Sequence, residues 1–268
     1  MARRLVVSLL AAIAALAVTT APAQAAVTFS GTVALSNCSA SLVRLPSSSD
    51  ADKALVLTNG HCYELMKANQ AVVNRTVQSR SVKLLNSAGT GTVATLSTNK
   101  LVYATMTGTD AAFYQLEQTY GQIQQQYGTR ALELSATHPV AKTDIRVVSG
   151  YWKKIYSCQI DGFVYQLKEA DWTWRDSLRY TSSCNTIGGT SGSPIIDNVS
   201  GKVVGVNNTG NESGGRCTMN NPCEVDAAST VTVRKGINYG QQTFDFVSCF
   251  GPGTKLNLSL PGCKVTKP

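Results

Sequence analysis

Ile187-Gly188-Gly189-Thr190-Ser191-Gly192-Ser193-Pro194 sets one serine between glycines, closes on a proline and runs into apolar Ile195-Ile196. Glycine lacks the Cβ that would block a sharp bend or cover backbone N–H groups. Two readings fit such a stretch: a small-residue turn between strands, or a loop that presents a nucleophile beside an oxyanion pocket. The choice rests on whether the chain supplies a base and an orienting carboxylate elsewhere.

The 268-residue chain has only two histidines, so the search for a base is short. His61 lies in Leu57-Thr58-Asn59-Gly60-His61-Cys62, at the end of an apolar run and beside a cysteine whose disulfide would fix it. His138 precedes Pro139 and has no comparable setting. For the carboxylate, Asp110 stands in Thr107-Gly108-Thr109-Asp110-Ala111-Ala112-Phe113-Tyr114, immediately ahead of an apolar strand. Each residue alone has a plain reading, a solvated histidine or a turn aspartate. Their order is more informative. In α/β-hydrolases the histidine follows the serine, and no histidine follows Ser191; subtilisin-like chains put the aspartate first, and neither Asp50 nor Asp52 carries a supporting motif. The order His61, Asp110, Ser191 is that of the chymotrypsin arrangement.

The N-terminus places Arg3-Arg4 before an apolar run from Leu5 to Val18 and a small-x-small site at Ala23-Gln24-Ala25. This is the pattern of a secretory signal over residues 1–25, too short for a membrane span. The expected mature chain is secreted, extracellular and free of the membrane once the signal is removed. The whole chain carries a net charge of +8, and without Arg3 and Arg4 it keeps 22 basic against 16 acidic residues. Apart from pairs such as Lys153-Lys154 and Arg234-Lys235 the basic residues are scattered, which predicts a solvated surface and no nucleic-acid partner. Eight cysteines behind a signal argue for four disulfides. Neighbours along the chain suggest Cys38–Cys62, Cys158–Cys184, Cys217–Cys223 and Cys249–Cys263, the first worth about 3 kcal/mol by restricting the unfolded chain. Two histidines and no paired C-x2-C knuckles argue against a metal site, and nothing calls for a cofactor.

From Ala26 onward short apolar segments recur with a period near two, broken by Gly, Ser and Asn. Residues 27–29, 40–43, 53–58, 81–85, 92–96 and 111–116 are the expected strands of a first half. A Gln-rich connector over 117–130 holds a short helix at Ile123 to Tyr127. A second set follows at 131–134, 144–148, 154–156, 163–167, 194–196, 202–206 and 230–233, with 244–250 readable as strand or helix. The pattern is all-β, with an N-terminal unit over 26–130 that includes the connector and a C-terminal unit over 131–268.

With these motifs in place, the sequence resembles the chymotrypsin/trypsin-like serine endopeptidases, in particular their secreted bacterial members. Asn59-Gly60-His61-Cys62 is similar to the family's histidine motif, with Cys38 where the partner cysteine stands. Asp110 to Leu116 resembles the aspartate-plus-strand motif, and Gly189-Thr190-Ser191-Gly192-Ser193-Pro194 the Gly-x-Ser-Gly-x-Pro nucleophile motif. The resemblance implies two six-stranded antiparallel β-barrels with the active site in the cleft between them. It implies a monomeric enzyme acting on a polypeptide substrate: His61 as base, Asp110 orienting it, Ser191 as nucleophile, and the N–H groups of Gly189 and Ser191 as the oxyanion hole. The specificity pocket is expected to have Asn185 near its base and Asn207, Asn208, Thr209 and Gly210 along one wall; Asn185 argues against the basic preference an aspartate there would give. Glu224 or Asp226 in the pocket would select a basic residue, but on a disulfide loop both read more strongly as surface carboxylates. Thr190 stands where trypsin-like zymogens keep an aspartate, which implies that signal cleavage alone yields the competent enzyme, its loop shaped by its own glycines and the Cys158–Cys184 tether. The alternatives are a catalytically inactive binding protein on the same fold and an esterase using the same triad.

Overall fold

The computed structural model describes residues 27–268; the expected signal over 1–25 lies outside them. In chain order the strands of the first half are β1 (Thr32–Ala34), β2 (Ser39–Arg44), β3 (Lys53–Thr58), β4 (Ala71–Leu85), β5 (Thr92–Thr105) and β6 (Ala111–Thr119). They pair in the order β1-β4-β5-β6-β3-β2, and β1 also pairs with β2, so the ring closes with every pairing antiparallel. Closure removes both sheet edges.

Helix α1 (Tyr120–Tyr127) follows, starting three residues before the expected position because Thr119 and Gln122 form a reciprocal capping box. Gly128, at φ 64°, ends it in the left-handed conformation. Strand β7 (Leu132–Glu133) then adds in parallel to β2, so the chain leaves the first barrel only after this point.

The second half contains β8 (Asp144–Ser149), β9 (Lys154–Glu169), β10 (Trp172–Tyr180), β11 (Pro194–Asp197), β12 (Val203–Gly210), β13 (Cys223–Val225), β14 (Val231–Val233) and β15 (Asn238–Gln242). Strands β10-β15-β12-β11-β8-β9 form a ring closed by β10 pairing with β9, and β13 and β14 extend from β9 as a ribbon. Both barrels are six-stranded and antiparallel, as in the chymotrypsin-like fold. The two short segments expected at 154–156 and 163–167 are one continuous strand, β9. The expected strand at 27–29 is displaced to β1, and the segment from Phe244 is a short helix, α2 (Phe244–Val247), not a strand.

Burial follows the pleat: in β9 the side chains alternate buried and exposed from Tyr156 to Ile160, the period of a strand with one wet face. One apolar cluster crosses between the barrels, joining Leu55, Leu57 and Phe113 of the first to Ile196, Val203 and Val206 of the second. Phe246 and Phe250 pack on Phe113 with ring centroids 5.0 and 5.5 Å apart, and Tyr103 Oη donates to the Thr266 carbonyl at 2.7 Å. The C-terminal segment therefore folds back onto the first barrel. All four disulfides pair neighbours along the chain: Cys38–Cys62, Cys158–Cys184, Cys217–Cys223 and Cys249–Cys263.

Candidate active site

His61 leaves the end of β3 and Asp110 enters the start of β6, adjacent antiparallel strands whose register pairs Thr58 with Ala112. Forty-nine residues of separation thus become a direct contact. His61 Nδ1 lies 2.7 Å from Asp110 Oδ2, and the His61 backbone N–H donates to Oδ1 at 3.1 Å. The Asn59 amide donates to the Asp110 carbonyl at 2.9 Å, and Asp110 is fully buried. A carboxylate only accepts, so the Nδ1 proton faces it and Nε2 keeps its lone pair. Gly60 makes this approach possible: a Cβ there would sit 2.1 Å from the Thr105 carbonyl oxygen and 3.0 Å from Asp110 Oδ1. Burial opposes the charged imidazolium, but the charge and hydrogen bond of Asp110, with Glu169 adding, outweigh it and hold the His61 pKa above 6.5. Cys62 and Cys38 are spent on each other in the disulfide behind His61, so neither offers a thiolate to a metal.

Ser191 lies in the loop between Cys184 and β11, docked on the first barrel. Its carbonyl accepts from the Ser39 N–H at 2.8 Å, while Thr58 Oγ1 donates to the Ser39 carbonyl at 2.8 Å. Ser191 Oγ donates to the Asn208 carbonyl at 3.2 Å. Among the described residues no hydrogen bond joins Ser191 Oγ to His61; a turn about the Ser191 Cα–Cβ bond, between staggered wells, would re-aim it, and hydrogen bonds between a hydroxyl and its base commonly tighten only with substrate bound.

Thr190, expected to leave the loop to its glycines and the Cys158–Cys184 tether, is itself a tie point. It is buried, donates from Oγ1 to the Ile187 carbonyl at 2.5 Å and accepts from Asn207 Nδ2 at 3.0 Å. The Thr190–Asn207 hydrogen bond ties the Ser191 loop to β12 through a neutral pair. Gly189 has φ 85°, a left-handed value glycine adopts without strain. Among the described residues the Gly189 and Ser191 N–H groups have no acceptor. The Gly188 carbonyl receives Trp152 Nε1 at 2.7 Å. Because a trans peptide points its C=O and the next N–H in opposite directions, this bond fixes where the Gly189 N–H aims.

A cleft between the barrels is lined by His61, Asp110 and Ser191. Asn207, Asn208, Thr209 and Gly210 line it as well, but Asn185 does not: it is exposed, and its buried neighbour Thr186 takes the wall. Asn207 directs its amide to Thr190 Oγ1 in the loop that carries Ser191. Asn208 is buried with neither amide atom partnered among the described residues. Glu224 is not in the lining. It is held by Arg179 at 2.9 Å, Arg234 at 3.0 Å and Tyr239 Oη at 3.1 Å, and Asp226 is an exposed turn former.

Sequence reasoning missed the tip of the β9/β10 hairpin, which supplies Glu169, Trp172 and Trp174 to the cleft. Trp172 Nε1 donates to the Met66 carbonyl at 2.8 Å and Trp174 Nε1 to the Met106 carbonyl at 3.0 Å, bridging the barrels beside His61. Two tryptophans one residue apart are the signal that was available, since alternate strand positions share a face.

A family model described as a trypsin-like peptidase domain matches residues 46–206. Among solved structures, the MamO protease domain from Magnetospirillum magneticum in its apo form is similar, with a TM-score of 0.51 and 13% identity over 84% of this chain and 98% of that one. The active form of the Rv3671c protease from M. tuberculosis gives a TM-score of 0.50 and 13% identity, over 90% and 85% respectively. Likeness at that identity speaks to the fold alone. Among curated proteins no sequence matches.

Proposed function

The chain belongs to the trypsin-like peptidase family, and from that premise we propose that it is a secreted serine endopeptidase cutting polypeptides through His61, Asp110 and Ser191. The observation that carries this reading is the 2.7 Å bond from His61 Nδ1 to a fully buried Asp110 in a cleft also lined by Ser191. In the first step Ser191 Oγ leaves the Asn208 carbonyl, passes its proton to His61 Nε2 and attacks the scissile carbonyl carbon. The carbonyl π pair moves to oxygen, and the N–H groups of Gly189 and Ser191 receive the oxyanion. One such donor contributes about 3 to 4 kcal/mol to the transition state. Asp110 stabilises the imidazolium, which then protonates the departing amine. Water enters by the same route in reverse and releases the acid from the acyl-enzyme.

Secretion is supported by the signal pattern over 1–25 and by four disulfides, which persist in oxidising compartments. Competence without a second cleavage is supported by the Thr190–Asn207 hydrogen bond, which ties the nucleophile loop without a new N-terminus. Casein hydrolysis by the secreted protein, lost in Ser191→Ala, is the expected result. Cleavage of small esters with casein and peptides untouched would move the reading to an esterase, and no Ser191-dependent turnover of either would move it to a binding protein.

A further inference from the structure

Among the described residues two glutamates are nearly buried, and only one of the two is paired with an arginine or lysine. Glu224 is held by Arg179, Arg234 and Tyr239. Glu169, 4% exposed, accepts from Thr209 Oγ1 at 2.6 Å through Oε2 and from the Asn220 N–H at 2.8 Å through Oε1. Each oxygen keeps a lone pair, and the charged groups acting on it are His61 and the like-charged Asp110. A buried carboxylate without a counter-cation is costly, and proteins as a rule supply one. Here none comes from the lining. Among the described residues the cleft contains Asp110, Glu169 and Glu212 and no lysine or arginine, although the chain as a whole is basic. Asn208 gives an independent sign that a ligand completes the site. It is 4% exposed, lines the same cleft, and both of its amide atoms lack a partner among the described residues. Trp172, Trp174 and Met106 add apolar wall, the surroundings that accept the aliphatic stem of a long basic side chain.

Resting on the peptidase reading above, we infer that the cleft selects polypeptides carrying a lysine or arginine, whose cation pairs with Glu169. The preference is set by the hairpin tip and not by the position near Asn185. The experiment is a positional peptide library on the wild-type enzyme, comparing lysine with norleucine and arginine with citrulline at each site. A charge-assisted hydrogen bond predicts a ten- to hundredfold gain, roughly, in kcat/KM for the cation at one position. In Glu169→Gln that ratio falls to about one, and in Glu169→Lys it turns in favour of glutamate. Should those variants fail to fold, the wild type still decides through its inhibition by two peptide aldehydes of equal length and identical end, one with arginine and one with citrulline at the position the library singles out. No preference for a cation at any position, an aldehyde ratio near one, or a preference that survives in Glu169→Gln overturns the inference. Each of these is read while the wild type still turns peptides over, whereas failure of the peptidase reading abolishes turnover of every peptide by the wild type.

Discussion

Gly192 is where the loop carrying Ser191 presses on the first barrel, and Gly192→Ala measures how much activity depends on that contact. A Cβ at this position would lie 2.1 Å from the Ser39 carbonyl oxygen and 2.2 Å from Thr58 Oγ1, while ordinary contact begins at 3.4 Å. The loop and the barrel must therefore part by about 1.3 Å. The residue also sits at φ 81°, where an L side chain costs about 1 to 2 kcal/mol. Overpacking of this kind adds about 1 to 3 kcal/mol, so the loss of stability is about 2 to 5 kcal/mol. For a chain of this size that lowers Tm by roughly 4 to 20 °C. The displacement acts on chemistry as well, because the Ser39 N–H that holds the Ser191 carbonyl belongs to the same contact. A misplacement near 1 Å costs on the order of a hundredfold in rate. Calorimetry and kcat/KM on one peptide substrate, both well below the Tm of the variant, provide the assay. An alanine variant within about 2 °C and about twofold of wild type would refute the docking geometry.

Three further outcomes follow from the site. His61 must be neutral to accept the Ser191 proton, and Asp110 raises its pKa, so kcat/KM should rise with pH through a midpoint above 6.5; a flat profile from about pH 5 to 9 contradicts this. Trp152→Phe keeps the ring but removes the donor on the Gly188 carbonyl, and losing one neutral hydrogen bond predicts a roughly tenfold fall in kcat with KM little changed. Paired Cys38→Ser and Cys62→Ser replacement should lower stability by about 3 kcal/mol, read as a Tm about 6 to 12 °C lower by calorimetry.

The parts of this molecule legible in the sequence are those whose chemistry is local. The Gly-x-Ser-Gly-x-Pro loop, the apolar run before His61 and the strand after Asp110 each announce themselves within eight residues, and their order suffices to assemble the cleft. Strands β10 and β15 were not legible, because Trp-Thr-Trp-Arg-Asp-Ser-Leu-Arg-Tyr and Asn-Tyr-Gly-Gln-Gln carry polar residues that a single segment gives no reason to bury. Their partners lie across the sheet: Ser177 Oγ donates to Gln241 Oε1 at 3.2 Å, and both residues are fully buried. Glu169 was invisible for the same reason. In Lys168-Glu169-Ala170-Asp171 it looks like a turn carboxylate, and only the fold brings Thr209 and Asn220 to it. Counting back from Ser191 placed Asn185 one residue off: it is exposed in an irregular loop, and its buried neighbour Thr186 lines the cleft.

Mass spectrometry of the protein after treatment with a fluorophosphonate reads whether Ser191 is a nucleophile activated by His61. One adduct per chain is expected, on Ser191, formed faster as pH rises past neutrality and strongly diminished in His61→Ala. An unlabelled Ser191, or equal labelling in His61→Ala, would contradict it.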